Sequence, residues 1–370
     1  MKSKNVSNRT AHFRQTKQKN IAFHKTLFIL LVFWPSALTY AQNLSASVPK
    51  LAPTDIEVIS EAYHLWKTKG DNVWPGWTKI NMPFVYKKKH FEYRINFPAT
   101  ARRGRFVEKI GKMDVYGLPV SDSGGMAASM DVDHVPAVVL SSPEITGMTK
   151  ERWIITAQHE MFHVFQDSDT AYRRKIKSLK IGYGKDASWM LHYPFPYRDS
   201  LLNTIAHMQG YLSFKIYRSD NLRESLYDSF FLNDILALYK NYLHCRYGSN
   251  NDYKYAVFQQ SVEGTAKYTE IKMAEIAQTD YVPLHPDLHF TDDYTNQINV
   301  IRHCGKGTGG RLTFYYLGTG MCFVLDKINP DWKKSYLSTA WLNKILAASL
   351  QQIMEKHKTA TSSWKSTTGK

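Results

Sequence analysis

Between residues 54 and 68 the apolar positions Ile56, Ile59, Ala62, Tyr63 and Trp66 recur at helical spacing, which predicts a short helix. Pro75-Gly76 interrupts the chain, and the period then changes. Phe91, Tyr93, Ile95 and Phe97 alternate with polar residues, as in a half-buried strand. Further strands are predicted at 105–116 and 136–141, separated by the turn-rich segment 121–125. From Thr149 onward the pattern is helical, with helices predicted at 150–167, 200–217, 223–243, 253–277 and 311–328. Pro194 and Pro196 mark 168–198 as irregular, and Pro283, Pro286 and the glycine cluster 305–310 do the same for 279–310. The tail from Lys358 is rich in Thr, Ser and Lys, a composition that predicts disorder over 358–370. The pattern is that of an α+β chain, with a β-rich lobe over about 42–148 and a helical lobe over about 149–357.

The first 41 residues read differently. Lys2, Lys4, Arg9, Arg14, Lys17, Lys19 and Lys25 precede an apolar run from Leu27 to Trp34 and the small-residue exit Thr39-Tyr40-Ala41. That order predicts a secretory signal peptide at 1–41, cleaved after Ala41, and a secreted or periplasmic mature protein. The run meets Pro35 well short of the roughly 20 apolar residues of a spanning helix, so no stable membrane span is expected after cleavage. The segment also carries seven of the 48 basic residues and none of the 32 acidic ones, so without it the formal charge falls from +16 to +9. The remaining excess is scattered, no nucleic-acid-binding motif is present, and no nucleic-acid partner is expected.

Cys245, Cys304 and Cys322 are too few for a disulfide-built scaffold. In an oxidising compartment Cys245 with Cys304 is the expected pair, since both fall near predicted loops, and Cys322, in an apolar run, is expected to be a buried thiol. No CxxC is present.

The candidate chemistry lies in Trp153–Phe165, where His159-Glu160-Met161-Phe162-His163 falls inside an apolar helical pattern. Four residues are slightly more than one turn, so His159 and His163 project from one helix face and can bind one Zn²⁺. Glu160 can then act as the general base toward a water. The bland alternative, two satisfied core histidines, leaves Glu160 without a purpose. A third ligand is expected from Gln259–Glu270, a helical stretch containing Glu263-Gly264-Thr265-Ala266. Glycine inside a helix costs about 1 kcal/mol against alanine, so Gly264 implies close approach of another helix, taken here as the one bearing His159. Glu263 beside small residues is therefore the preferred ligand; otherwise it shares a solvated face with Lys267. Asp169 and His207 are the rivals. Asp169 stands where a metzincin places its third ligand, but Gln166 replaces the glycine that such a chain needs to turn back. Tyr268, Tyr315, Tyr316 and His303 are candidates for stabilising an oxyanion, with core packing the expected role of Tyr268. Gly318-Thr319-Gly320 predicts close helix packing.

His159, Glu160 and His163, with the block Glu263-Gly-Thr-Ala-Lys-Tyr268, resemble the gluzincin group of zincin metallopeptidases. The resemblance implies a zincin-like fold, zinc on His159, His163 and Glu263, and water-promoted hydrolysis of a peptide or protein substrate. It also implies a cleft between a β lobe and a helical lobe, and makes Ala137–Ser141 the edge strand to which an extended peptide adds. A zinc hydrolase acting on a non-protein amide or a cell-wall peptide is the alternative, and a non-catalytic protein with the same helix the third.

Overall fold

The computed structural model describes residues 48–368 apart from 122–123, 182–188, 249, 292–293 and 307–308; the segment 1–41 lies outside the described residues. Helix α1 (Pro53–Val73) opens with proline, whose missing N–H costs nothing at a helix start, and Asp55 Oδ2 accepts the Ala52 N–H at 3.1 Å. It buries Val58, Ile59, Ala62, Leu65 and Trp66, and extends a turn beyond the stretch that the periodicity predicts.

Six strands follow: β1 (Phe84–Lys88), β2 (Phe91–Ile95), β3 (Arg105–Ile110), β4 (Met113–Pro119), β5 (Ala127–Val132) and β6 (Val135–Ser141). They form one mixed sheet in the order β3-β4-β2-β1-β6-β5, antiparallel throughout except for the parallel β1–β6 pair. The alternation works as a sorting device. Phe84, Tyr86, Tyr93, Ile95, Val138 and Leu140 enter the main core, whereas Val85, Ala137 and Val139 form a smaller cluster with Phe97 and Ala101. The predicted strand over 105–116 is a hairpin, β3 and β4. The predicted edge strand is corrected too. Ala137–Ser141 belongs to β6, which is paired on both sides; the edge strands are β5, next to β6, and β3 at the far side.

The helical part comprises α2 (Pro143–Thr146), α3 (Lys150–Ser168), α4 (Thr170–Lys177), α5 (Trp189–His192), α6 (Ser200–Arg218), α7 (Leu222–Tyr247), α8 (Asn250–Thr279), α9 (Tyr294–Arg302), α10 (Leu312–Ile328), α11 (Lys333–Thr339) and α12 (Leu342–Thr368). Two segments predicted as irregular thus contain helix: α4 and α5 within 168–198, and α9 within 279–310. The last helix runs through Thr368, where composition predicts disorder. Among the described residues no helix is long and apolar enough to cross a membrane.

Helix α3 is fixed from three sides. Thr149 caps its start by accepting the Arg152 N–H. Trp153 Nε1 donates to the Ser141 carbonyl of β6 at 2.7 Å, Gln158 Nε2 to the Ala62 carbonyl of α1 at 3.0 Å, and Trp77 Nε1 to the Met161 carbonyl at 3.3 Å. Helix α8 meets α10 where Gly264 faces Gly318: a Cβ on Gly264 would stand 2.5 Å from Gly318 Cα. The close approach that Gly264 predicts is therefore real, but its partner is α10, not α3. Gly318 and Gly320 serve helix packing as predicted, Gly320 against Ser213 and Ile301.

All three cysteines are free. The expected Cys245–Cys304 bridge is absent because Cys245 is exposed on the last turn of α7, while Cys304 is buried with its Sγ toward the Val300 carbonyl. Cys322 is a buried thiol, as its apolar setting predicts.

Candidate metal centre

The one-turn spacing on α3 and the fixed position of α8 bring three ligand atoms to one point. His163 Nε2 lies 3.2 Å from His159 Nε2. Glu263 Oε2 lies 3.6 Å from His159 Nε2 and 3.3 Å from His163 Nε2. His159, His163 and Glu263 form the group that could hold a metal ion among the described residues. A tetrahedral ion with ligands at about 2.0–2.1 Å needs ligand atoms about 3.3 Å apart, so the three sides of the triangle fit such an ion.

The outer nitrogen of each histidine is held as well. His159 Nδ1 lies 3.1 Å from Glu270 Oε2, and His163 Nδ1 lies 2.6 Å from Gln166 Oε1. Both contacts require Nδ1–H and turn Nε2 toward the ligand triangle. Its lone pair becomes available there once the Nε2 proton is lost, the orientation that a metal-binding imidazole needs. These partners are themselves anchored. Glu270 Oε1 accepts from Lys267 Nζ at 2.8 Å and pairs with Arg152 at 2.7 Å. Gln166 Nε2 donates to Tyr336 Oη at 2.7 Å, to Thr265 Oγ1 at 3.0 Å and to the Val262 carbonyl at 3.2 Å.

The electrostatics match a cation site. For His159, burial works against the charged ring, yet the hydrogen bonds to Glu263 and Glu270 and the charges of Glu160 and Glu270 outweigh it and raise the pKa to about 10. Glu263 is lowered well below the usual carboxylate range: burial opposes this, and the two histidines override it. Without an ion, protons on the imidazoles balance Glu263, and a bound cation could take their place. Glu160 is buried and, among the described residues, its carboxylate makes no hydrogen bond. Burial raises its pKa, helped by Glu263 and Glu270 and opposed by the two histidines.

Other candidates fall elsewhere. Asp169 caps α4 by accepting the Tyr172 N–H at 2.7 Å, and His207 Nδ1 lies 3.1 Å from the Cys304 carbonyl. Lys267 pairs with Glu270, not with Glu263. Tyr268 packs in the core with its hydroxyl donating to Asp326 at 2.7 Å, as predicted. Of the remaining tyrosines, Tyr315 on α10 reaches the site and stacks on His159, with ring centroids 6.2 Å apart and planes 14° from parallel. Burial, then the charge of Glu263, lifts its phenol well above the usual range and keeps it protonated. Sequence reasoning missed Glu270, Arg152 and Arg311. Glu270 was within reach, because it follows Glu263 by seven residues, two helical turns, and so shares its face.

No family model, curated protein or solved structure matches the chain.

Proposed function

We propose that the protein is a secreted or periplasmic zinc-dependent hydrolase with a zincin-like fold, and that it cleaves peptide bonds. The reading rests above all on the convergence of His159 Nε2, His163 Nε2 and Glu263 Oε2 within 3.2–3.6 Å of one another beside a buried carboxylate, Glu160. Two imidazoles and one carboxylate are the ligand set of a catalytic zinc, which leaves a position open. When bound, zinc supplies Lewis acidity and brings the pKa of a water toward about 7.

The chain's own groups carry the rest. Glu160, whose carboxylate makes no hydrogen bond among the described residues and whose pKa is raised, takes a proton from the attacking water and returns it to the leaving nitrogen. Tyr315, held protonated beside Glu263 and Glu160, donates its hydroxyl proton to the oxyanion as a hydrogen bond. Glu270 and Gln166 hold the two imidazoles so that their Nε2 atoms keep facing the same point. The edge strand β5, which pairs only with β6, offers its outer backbone groups to an extended peptide.

A mixed peptide library incubated with zinc-loaded protein tests the proposal. Cleavage that the Glu160→Gln variant loses while retaining zinc is the expected result. Zinc uptake with no peptide cleaved redirects the reading to a non-protein amide substrate, and cleavage undiminished by Glu160→Gln refutes the assigned general base.

A further inference from the structure

Arg311 stands at the start of α10, one turn before Tyr315, and its side chain is 29 % exposed. Among the described residues its guanidinium makes no hydrogen bond. Its nearest carboxylate oxygen is Glu263 Oε1 at 3.9 Å, and it lies over the Tyr315 ring at 5.4 Å. Five N–H donors are thus left largely unused beside a metal ligand, although a guanidinium out of bulk water normally finds acceptors. The other two cations near the site differ in this respect, because Arg152 and Lys267 both contact Glu270.

Charge points the same way. With a divalent ion in place, the positive charge of the ion, Arg152, Lys267 and Arg311 exceeds the negative charge of Glu160, Glu263 and Glu270. The excess remains when Asp167, which lies near His163, is included. Arg152 and Lys267 already share Glu270, whereas Arg311 has no close acceptor of its own, so it is the cation free to meet an anionic group on whatever binds there.

Distance narrows the class of ligand. Arg311 approaches one oxygen of Glu263, and the other oxygen of the same carboxylate faces the histidines. The guanidinium nitrogen is thus 3.9 Å from the outer oxygen. Adding a carboxylate's O–O span of about 2.2 Å puts it at most about 6 Å from the ligand oxygen. Subtracting its own hydrogen bond of about 2.9 Å leaves about one residue's length. One residue of extended chain spans about 3.3–3.6 Å, so a carboxylate bound by Arg311 belongs to the residue immediately after the bond at the metal. We propose that Arg311 binds the C-terminal carboxylate of the substrate, and that the protein releases single residues from peptide C-termini. The inference rests on the zinc hydrolase reading above. A cavity of about 180 Å³ lined by Phe195, Tyr197, Leu202 and Phe314 adjoins this turn of α10 and guides the choice of an aromatic terminal residue as probe.

The test is calorimetric binding of N-benzoyl-glycyl-phenylalanine and of its C-terminal amide to the zinc-loaded Glu160→Gln protein, and to the same protein carrying Arg311→Met. The free acid is expected to bind at least about tenfold more tightly than the amide, which is the scale of charge-assisted hydrogen bonds. Arg311→Met is expected to abolish that preference and leave amide binding unchanged, and Arg311→Lys to restore part of it. Equal binding of acid and amide, no binding of the acid, or a preference that survives Arg311→Met overturns the proposal. Zinc content, measured on each sample, separates the two levels. Protein without zinc defeats the hydrolase reading, whereas zinc-loaded protein indifferent to the carboxylate defeats only the role of Arg311.

Discussion

Gly318→Ala is the substitution that most directly probes how the helices place the metal ligands. A Cβ at this position would stand 2.0 Å from the Gln260 carbonyl oxygen and 2.8 Å from Gly264 Cα. Both atoms are backbone, so no side-chain rotation relieves the contact. Ordinary carbon–carbon contact lies at about 3.5–4.0 Å, so α8 and α10 must separate by roughly 1 Å. Overpacking of this kind costs about 1–3 kcal/mol, and a clash with backbone on both sides belongs at the upper end. The shift also strains the bond from Thr319 Oγ1 to the Gly264 carbonyl, now 3.1 Å. Glu263 precedes Gly264 on the same turn, and its carboxylate moves with the helix. The expected result is a melting temperature lower by several degrees and weaker zinc binding in the same variant. Differential scanning calorimetry and competition with a zinc chelator measure the two effects. Gly125→Ala is the control, because a Cβ there meets nothing closer than 3.4 Å. If Gly318→Ala melts and binds zinc as the control does, the account of the helix crossing is wrong.

Other consequences follow from the groups around the ligands. Glu270→Gln removes the charge that orients His159 and leaves Arg152 and Lys267 facing an amide; zinc affinity is expected to fall about 10–100-fold, measured by chelator competition. Tyr336→Phe removes the acceptor of Gln166 Nε2 and the donor to the Ser261 carbonyl, and is expected to cost about 1–3 kcal/mol in denaturant unfolding. The pH dependence of the metal-free protein has a definite sign. His159, raised from 6.5 to about 10 on folding, adds stability that is complete below pH 6.5 and is lost as pH rises toward 10. Glu263 and Glu270, lowered from 4.5, add stability that is present above pH 4.5 and is lost as pH falls. Stability of the metal-free form is therefore expected to peak between pH 4.5 and 6.5, read from melting temperatures in the presence of a chelator. Zinc affinity is expected to rise with pH above that window as protons leave the imidazoles, with proton release on binding detected in buffers of different ionisation enthalpy.

What could be read in advance follows the range of the interactions. The His159–His163 pair is set by one helical turn, so its geometry was legible from four residues. Glu263 was legible because the glycine and small residues after it announce a close helix contact. The identity of that contact was not: a glycine says that space is needed, and only the assembled fold says that α10 fills it. The edge strand was misassigned for a related reason. Val135–Ser141 is apolar because it is covered on both sides, whereas β5, Ala-Ala-Ser-Met-Asp-Val, has small and acidic residues on an outer strand and lacks a clear alternation. Helix α9 was hidden because its nine residues lie between proline- and glycine-rich flanks. Arg311 had no local signal at all, since its meaning depends on a ligand 48 residues earlier in the chain.

The central claim is that His159, His163 and Glu263 bind one catalytic zinc. X-ray absorption at the zinc edge, with metal content measured on the same zinc-supplied sample, tests it most directly. One zinc per chain with two imidazole nitrogens and one carboxylate among its ligands, lost together in Glu263→Ala, is the predicted result. A folded, zinc-supplied protein that holds no zinc, or that keeps the same imidazole ligation in His163→Ala, would contradict it.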